Sequence, residues 1–333
     1  MTELSPYERT LRRLAGNSVD RTPNQNIFMA FAAHFIGTTY SQFAQDYRLL
    51  VEANLRASEA FHLDWVSVIS DPVREAVAFG AQVRFPEDSV PYCEPLITDY
   101  AQLDALPDWD PWMNERTSDR LRAVQLYRQR VGGYYPICGW VDGAVAVAAM
   151  LRGVNHFLED TILEPEHLTE LLQRCSSQAI RFALAQLQAG ADMIGIGDAV
   201  ASLISPQAYR TFALPYEQAI ISEVHRAGGL VKLHICGNTT RQLPFIAETG
   251  ADIIDVDWMV SLPGAIQTCG EYVSVNGNMD PVAIFLQGTP ASVTEATRNC
   301  LQAANARTFI SAGCEIPANT PHANILAHYE ALR

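Results

Sequence analysis

Basic residues are scarce in this chain, with 23 Lys and Arg against 37 Asp and Glu and a net charge of −14 with His neutral. A surface this acidic lacks the basic stripe that would neutralise phosphates, which argues against nucleic acid and against polyanionic ligands. Solubility alone accounts for the acidic balance, and no partner is drawn from it. Apolar runs long enough to cross a bilayer, roughly 20 residues, are missing. The opening TELSPYERT is polar where a secretory leader would be apolar. The expectation is a soluble, cytoplasmic protein. Cysteine is present at seven positions but without close regular spacing, so a disulfide framework is not expected and a reducing compartment fits. Low-complexity tracts are absent.

What is present is an alternation of apolar runs with helical patterns from Asn24 onward, the pattern of repeated βα units around a parallel sheet. Eight strands are expected, at 25–31, 64–70, 134–140, 191–197, 229–235, 252–258, 272–278 and 307–313. Gly190 ends one long helical pattern, Ser205-Pro206 starts another, and Pro215 predicts a break within the latter. With 48% hydrophobic residues the chain can bury a sizeable core. Eight such units predict a single α/β domain over 1–333, a (β/α)8 TIM barrel; a doubly wound open sheet is the alternative. Residues 1–24 are read as an N-terminal helical extension, with a helix from about Ser5 to Gly16 capping the barrel bottom. The Pro-rich, acidic stretch within 80–130 is read as a hairpin and lid-like insertion.

Reactive groups of such barrels sit at the carboxyl ends of the strands. Polar residues fall there along the chain: Asp71, Trp140 and Asp142, Asp198, His234 and Cys236, Asp255 and Asp257, Asn276 and Asn278, and Cys314. A single Asp after a strand is more often a helix cap than a catalytic group, so the convergence carries the weight. His234 and Cys236, two apart on one strand, point to the same face and can share an ion. An isolated H-x-C is more often core than ligand. The setting changes this, because His234-Ile235-Cys236 and Cys314 each end an apolar run just before loop-forming residues. Together they make a His/Cys/Cys set, which suits zinc and leaves one tetrahedral position open. Cys93, Cys138, Cys175, Cys269 and Cys300 are read as structural.

The segments LHICGNTT, GADIIDVDWMVSL, VNGNMDP and SAGCEIPANTP resemble the uroporphyrinogen decarboxylase superfamily, and within it the zinc-dependent corrinoid methyltransferase branch typified by methylcobamide:coenzyme M methyltransferases. The resemblance implies a (β/α)8 barrel and Zn2+ held by His234, Cys236 and Cys314. It also implies an acceptor thiol activated at the open position to take a methyl group from a corrinoid, methylcobalamin, carried by a partner protein. This chain shows no D-x-H-x-x-G motif or cobalamin domain of its own. Asp198 and Asp257 are candidates to fill the fourth metal position or to act catalytically, and Trp140, Asn276, Asn278 and Asp71 to bind the small-molecule methyl donor or acceptor. The aromatic supply of Phe28, Phe31, Trp65, Trp140 and Trp258 would suit a methoxy compound. Demethylation of such a compound or of a methylamine onto a cob(I)alamin protein is therefore an alternative. A uroporphyrinogen decarboxylase-like role or a non-catalytic metal-binding barrel are the others. The decarboxylase reading is opposed by the absence of Arg and Lys from Thr22 to Tyr47, where the family carries an Arg-rich segment for its anionic porphyrinogen.

Overall fold

Short runs of β-branched and aliphatic residues build the centre of the molecule, as seen in a computed structural model that describes residues 3–270 and 273–333. The strands are β1 (Val66–Ser67), β2 (Val83–Arg84), β3 (Tyr92–Cys93), β4 (Ile137–Asp142), β5 (Met193–Gly197), β6 (Leu230–His234), β7 (Ile253–Asp255), β8 (Ser274–Met279) and β9 (Phe309–Ala312). Among the described residues seven of them form one curled parallel sheet in the order β1-β4-β5-β6-β7-β8-β9, a (β/α)8-type barrel with its helices outside. Because neighbours in the sheet are also successive barrel strands in the chain, all their carboxyl ends open on one face. Tyr272, the first residue of the expected strand 272–278, lies outside the described residues.

The expected strand at 25–31 is the exception. Residues 24–28 run between β9 and β1 but make no ladder there among the described residues, and from Ala30 the chain turns into the helix Ala30–Phe35. Side chains replace the ladder. Gln25 N donates to Ser311 Oγ at 3.2 Å and Ala312 N to Asn26 Oδ1 at 2.7 Å, while Trp65 Nε1 donates to Asn26 O at 3.0 Å. Asn26 supplies one of these side chains itself and Ser311 and Trp65 supply the others, so the backbone of the eighth stave is held as an extended strut by side chains on both sides.

Helix Pro6–Leu14 is capped by Ser5 Oγ, which accepts from Glu8 N at 3.1 Å. It seats under the barrel, where Arg13 Nε donates to Thr308 O at 2.8 Å and Tyr7 N to Tyr134 O at 2.9 Å, both just before strands begin. The long helix Pro165–Ala189 stops at Gly190, whose φ of +115° is left-handed and open to glycine. The expected break at Pro215 falls between the helices Pro206–Phe212 and Leu214–Arg226. In the 80–130 stretch β2 and β3 pair as an antiparallel hairpin. Its last part is the helix Glu115–Val131, which buries Leu121, Val124 and Tyr127 and packs beside helix Tyr47–Phe61 in the outer ring. No helix among the described residues is long and apolar enough to cross a membrane.

Candidate metal centre

Strand alternation decides what faces the barrel axis. Trp140 on β4 turns inward and lies across Gly195 of β5; a Cβ on that glycine would sit 2.1 Å from the indole. Gly195 and Gly197 of β5 therefore leave room for Trp140, whose ring centroid is 6.2 Å from that of His234. On β6, Lys232 and His234 face inward together, and the chain leaves the strand toward Cys236.

His234, Cys236 and Cys314 each offer one ligand atom, and these atoms all lie within 4.8 Å of one another. Cys314 Sγ is 3.8 Å from His234 Nε2. Tetrahedral zinc with bonds of about 2.0 to 2.3 Å needs ligand atoms roughly 3.5 to 3.8 Å apart, so the three donors fit such an ion with small side-chain adjustment. The donor at Nε2 is set by the other ring nitrogen, because His234 Nδ1 is 3.0 Å from Asp255 Oδ2. The three groups shift one another's titration. Cys236 is pulled below the usual thiol value by its hydrogen bond to Cys314, which is pushed up by the same bond and by burial. Burial opposes the His234 imidazolium, but Asp255 and Cys314 outweigh it and raise the pKa to about 10. A cation at this point would replace these protons. The other five thiols behave differently, since burial pushes each of them up.

The remaining residues expected at the mouth divide into those beside the cluster and those turned away. Asp257 stands beside Cys236, but both its oxygens are occupied by backbone: Oδ2 accepts from Gly237 N and Oδ1 from Trp258 N, each at 2.7 Å. It braces the Cys236 loop, and the Cys314 loop passes close enough that a Cβ on Gly313 would lie 2.6 Å from Oδ1. Asn276 donates to Asp255 Oδ1 at 2.8 Å and leaves its own Oδ1 unpartnered. Asn278 donates to Val260 O, tying the ends of β7 and β8 together.

Asp71 is buried, its Oδ2 accepting from Arg116 Nη2 and Ser70 Oγ, both at 2.6 Å, while its Oδ1 has no hydrogen-bond partner. Buried Arg74 and Arg120 lie near it, Arg74 paired with Glu75 and Arg120 with Asp119. The aromatic supply is also smaller than expected. Phe28, Phe31 and Trp65 are core residues, the first two packed around Phe61.

Asp198 does not reach the cluster. It has the parity of Ile194 and Ile196, so it points outward, where Oδ1 accepts from Ala146 N at 2.6 Å. There it meets Glu217, which Tyr209 also contacts. Burial raises Asp198 to about 7, and burial followed by the Asp198 charge raises Glu217 well above its usual value. The folded protein thus holds protons that the unfolded chain releases. Stability from this pair is full below the ordinary carboxyl range and falls as pH rises from there to about 7 and beyond. Glu217→Gln can donate to Asp198 and accept from Tyr209, so it should flatten that fall. The check is the urea midpoint at about pH 4 and about pH 8, which lie near the two ends of the fall; equal pH dependence in variant and wild type would refute it.

Sequence reasoning places Asp255 at the mouth without a role and misses Lys232 altogether. A signal was there, since Lys232 is the chain's sole lysine and lies within the apolar run GLVKLHI.

A parallel barrel with an open His/Cys/Cys set at its carboxyl mouth is the class that fold and site define. The chain matches the family model described as uroporphyrinogen decarboxylase (URO-D) over residues 5–333 and belongs to that family. It is 31% identical to the methylcobamide:CoM methyltransferase MtbA of Methanosarcina acetivorans, over 98% of this chain and 96% of that protein. To the uroporphyrinogen decarboxylase of Trichodesmium erythraeum it is 27% identical, over 98% and 95%. Its fold matches a solved methyltransferase from Methanosarcina mazei with a TM-score of 0.89 and 25% identity, covering 99% of this chain and 98% of that one.

Proposed function

We propose that this protein is a zinc-dependent methyltransferase that moves a methyl group between a corrinoid protein and a thiol. The observation that carries the proposal is the meeting of three soft donors from the ends of β6 and β9 within 4.8 Å, one of them backed by a carboxylate. Methyl-transferring relatives of nearly equal length support it. Zinc bound there supplies an open coordination position that lowers the pKa of a thiol and keeps its sulfur available at neutral pH. The chain's residues prepare that position. Cys236 and Cys314 bring negative charge, Asp255 fixes the imidazole, and Asp257 holds the Cys236 loop. Trp140 walls the inner side and limits water. With a methyl-corrinoid protein docked, the acceptor thiol would give its proton to solvent and its sulfur would form the new S–CH3 bond, the electron pair of the broken Co–CH3 bond staying with the donor.

The rim suits a protein that carries the corrinoid. Leu203, Trp258, Met259 and Val282 are 40–61% exposed on the segments that follow β5, β7 and β8, so apolar side chains surround the mouth. The experiment that tests the reading is elemental analysis of purified wild type and Cys314→Ala without added metal. About one zinc per chain, lost in the variant, is the expected result for a single tetrahedral site. A folded wild type that takes up no zinc even on reconstitution would overturn it.

A further inference from the structure

We propose that Lys232 is a positioning residue for the metal ligand His234, acting through Asp255 from inside the barrel; this rests on the metal-site reading above. Lys232 is fully buried, and Nζ lies 3.0 Å from Asp255 Oδ1 and 3.1 Å from Gln25 Oε1, with the Trp65 ring centroid at 4.7 Å. Every one of these partners belongs to the barrel interior, below the cluster. An ammonium with no access to solvent is not a nucleophile for a substrate at the mouth, and burying it is costly unless it is paired. An apolar side chain would fill the same place on β6 without that cost, so the charge calls for a role.

Register supplies the role. His234 stands opposite Asp255 and Lys232 opposite Ile253, which places Asp255 beside the histidine and diagonal to the lysine. The two carboxylate oxygens are divided. Oδ2 faces His234 Nδ1 at 3.0 Å, whereas Oδ1 takes Lys232 at 3.0 Å and Asn276 Nδ2 at 2.8 Å. Two donors on Oδ1 fix the plane of the carboxylate, so Oδ2 stays aimed at Nδ1 and Nε2 stays aimed at the mouth. A carboxylate that holds a metal-ligating histidine commonly changes metal affinity by 10- to 100-fold when it is lost. Removing Lys232 frees Asp255 to turn, and the histidine loses its fixed orientation without losing any atom of its own.

The test is the zinc dissociation constant, measured by competition with a chelating dye, for wild type, Lys232→Met, Asp255→Asn and the double variant. Lys232→Met should weaken zinc binding by about 10- to 100-fold, as should Asp255→Asn. The double variant should bind no more weakly than Asp255→Asn, because the lysine acts only through the carboxylate. A merely structural lysine would leave zinc affinity unchanged in Lys232→Met, and an independent one would make the two losses add; either result overturns the proposal. If Lys232→Met does not fold, Lys232→Gln, whose neutral and shorter side chain cannot hold Asp255 Oδ1 as the ammonium does, takes its place: a loss of about 10- to 100-fold supports the proposal and unchanged affinity overturns it. A wild type that binds no zinc removes the metal-site reading itself, and this proposal with it.

Discussion

Cys236→Ala and Cys314→Ala are expected to fold normally and to transfer the methyl group of methylcobalamin to a thiol about 10³-fold more slowly than wild type, a loss of roughly 4 kcal/mol of transition-state stabilisation. Part of that is protonation. A free thiol with a pKa near 8.5 is only a few per cent thiolate at pH 7, so full ionisation is worth about 30-fold. The rest comes from holding the sulfur at one point beneath the docked donor instead of leaving it free in solution. The fold should tolerate both changes. Each cysteine lies at the rim, partly exposed, in a loop braced by its neighbours and not packed into the core. Initial rates followed by the loss of the methylcobalamin absorbance, alongside circular dichroism, make the check. Variants that are folded, free of zinc and as fast as wild type would separate the metal from the reaction.

The cluster was legible in the sequence because it needs only period-two alternation and the rule that barrel strands share one reactive end. His234 and Cys236 follow from the first, and Cys314 joins them through the second. The same alternation, applied to β5, would have turned Asp198 outward: Gly195 and Gly197 hold the inward places and Trp140 fills the space above them. The parity was read at β6 and not at β5. The surroundings of Asp71 are hidden from the sequence for a different reason. Its partner Arg116 comes from a helix 45 residues downstream, and no local pattern announces that pairing. The first stave fails as a strand because side chains take the place of the ladder: Asp64 and Ser311 accept from the backbone of Asn24 and Gln25, and Asn26 accepts from Ala312 N. The Lys232–Asp255 pair depends on cross-strand register, which the apolar pattern leaves open.

Asp64→Ala is expected to destabilise the fold by about 3 to 5 kcal/mol, the cost of stranding buried charges after removing their partner. Asp64 is fully buried at the entrance to β1 and accepts four bonds: from Arg9 Nη1, Arg21 Nη1 and Asn24 N at 2.6 Å each, and from Arg21 Nη2 at 3.0 Å. Arg9 belongs to the helix under the barrel, and Arg21 and Asn24 to the run that leads into the unladdered stave. One carboxylate therefore joins the bottom helix, the strut and β1 where the barrel closes without a regular ladder. Arg9 keeps Asp20 at 2.7 Å, but Arg21 and the Asn24 N–H lose their carboxylate partner outright. Urea unfolding at constant m-value gives the comparison. Zinc content should stay at the wild-type level in the folded variant, because Asp64 stands at the opposite end of the barrel from Cys236 and Cys314. A loss below about 1 kcal/mol, ordinary for a surface substitution, would mean that the strut is held by its other side-chain bonds and that Asp64 is not the closure point.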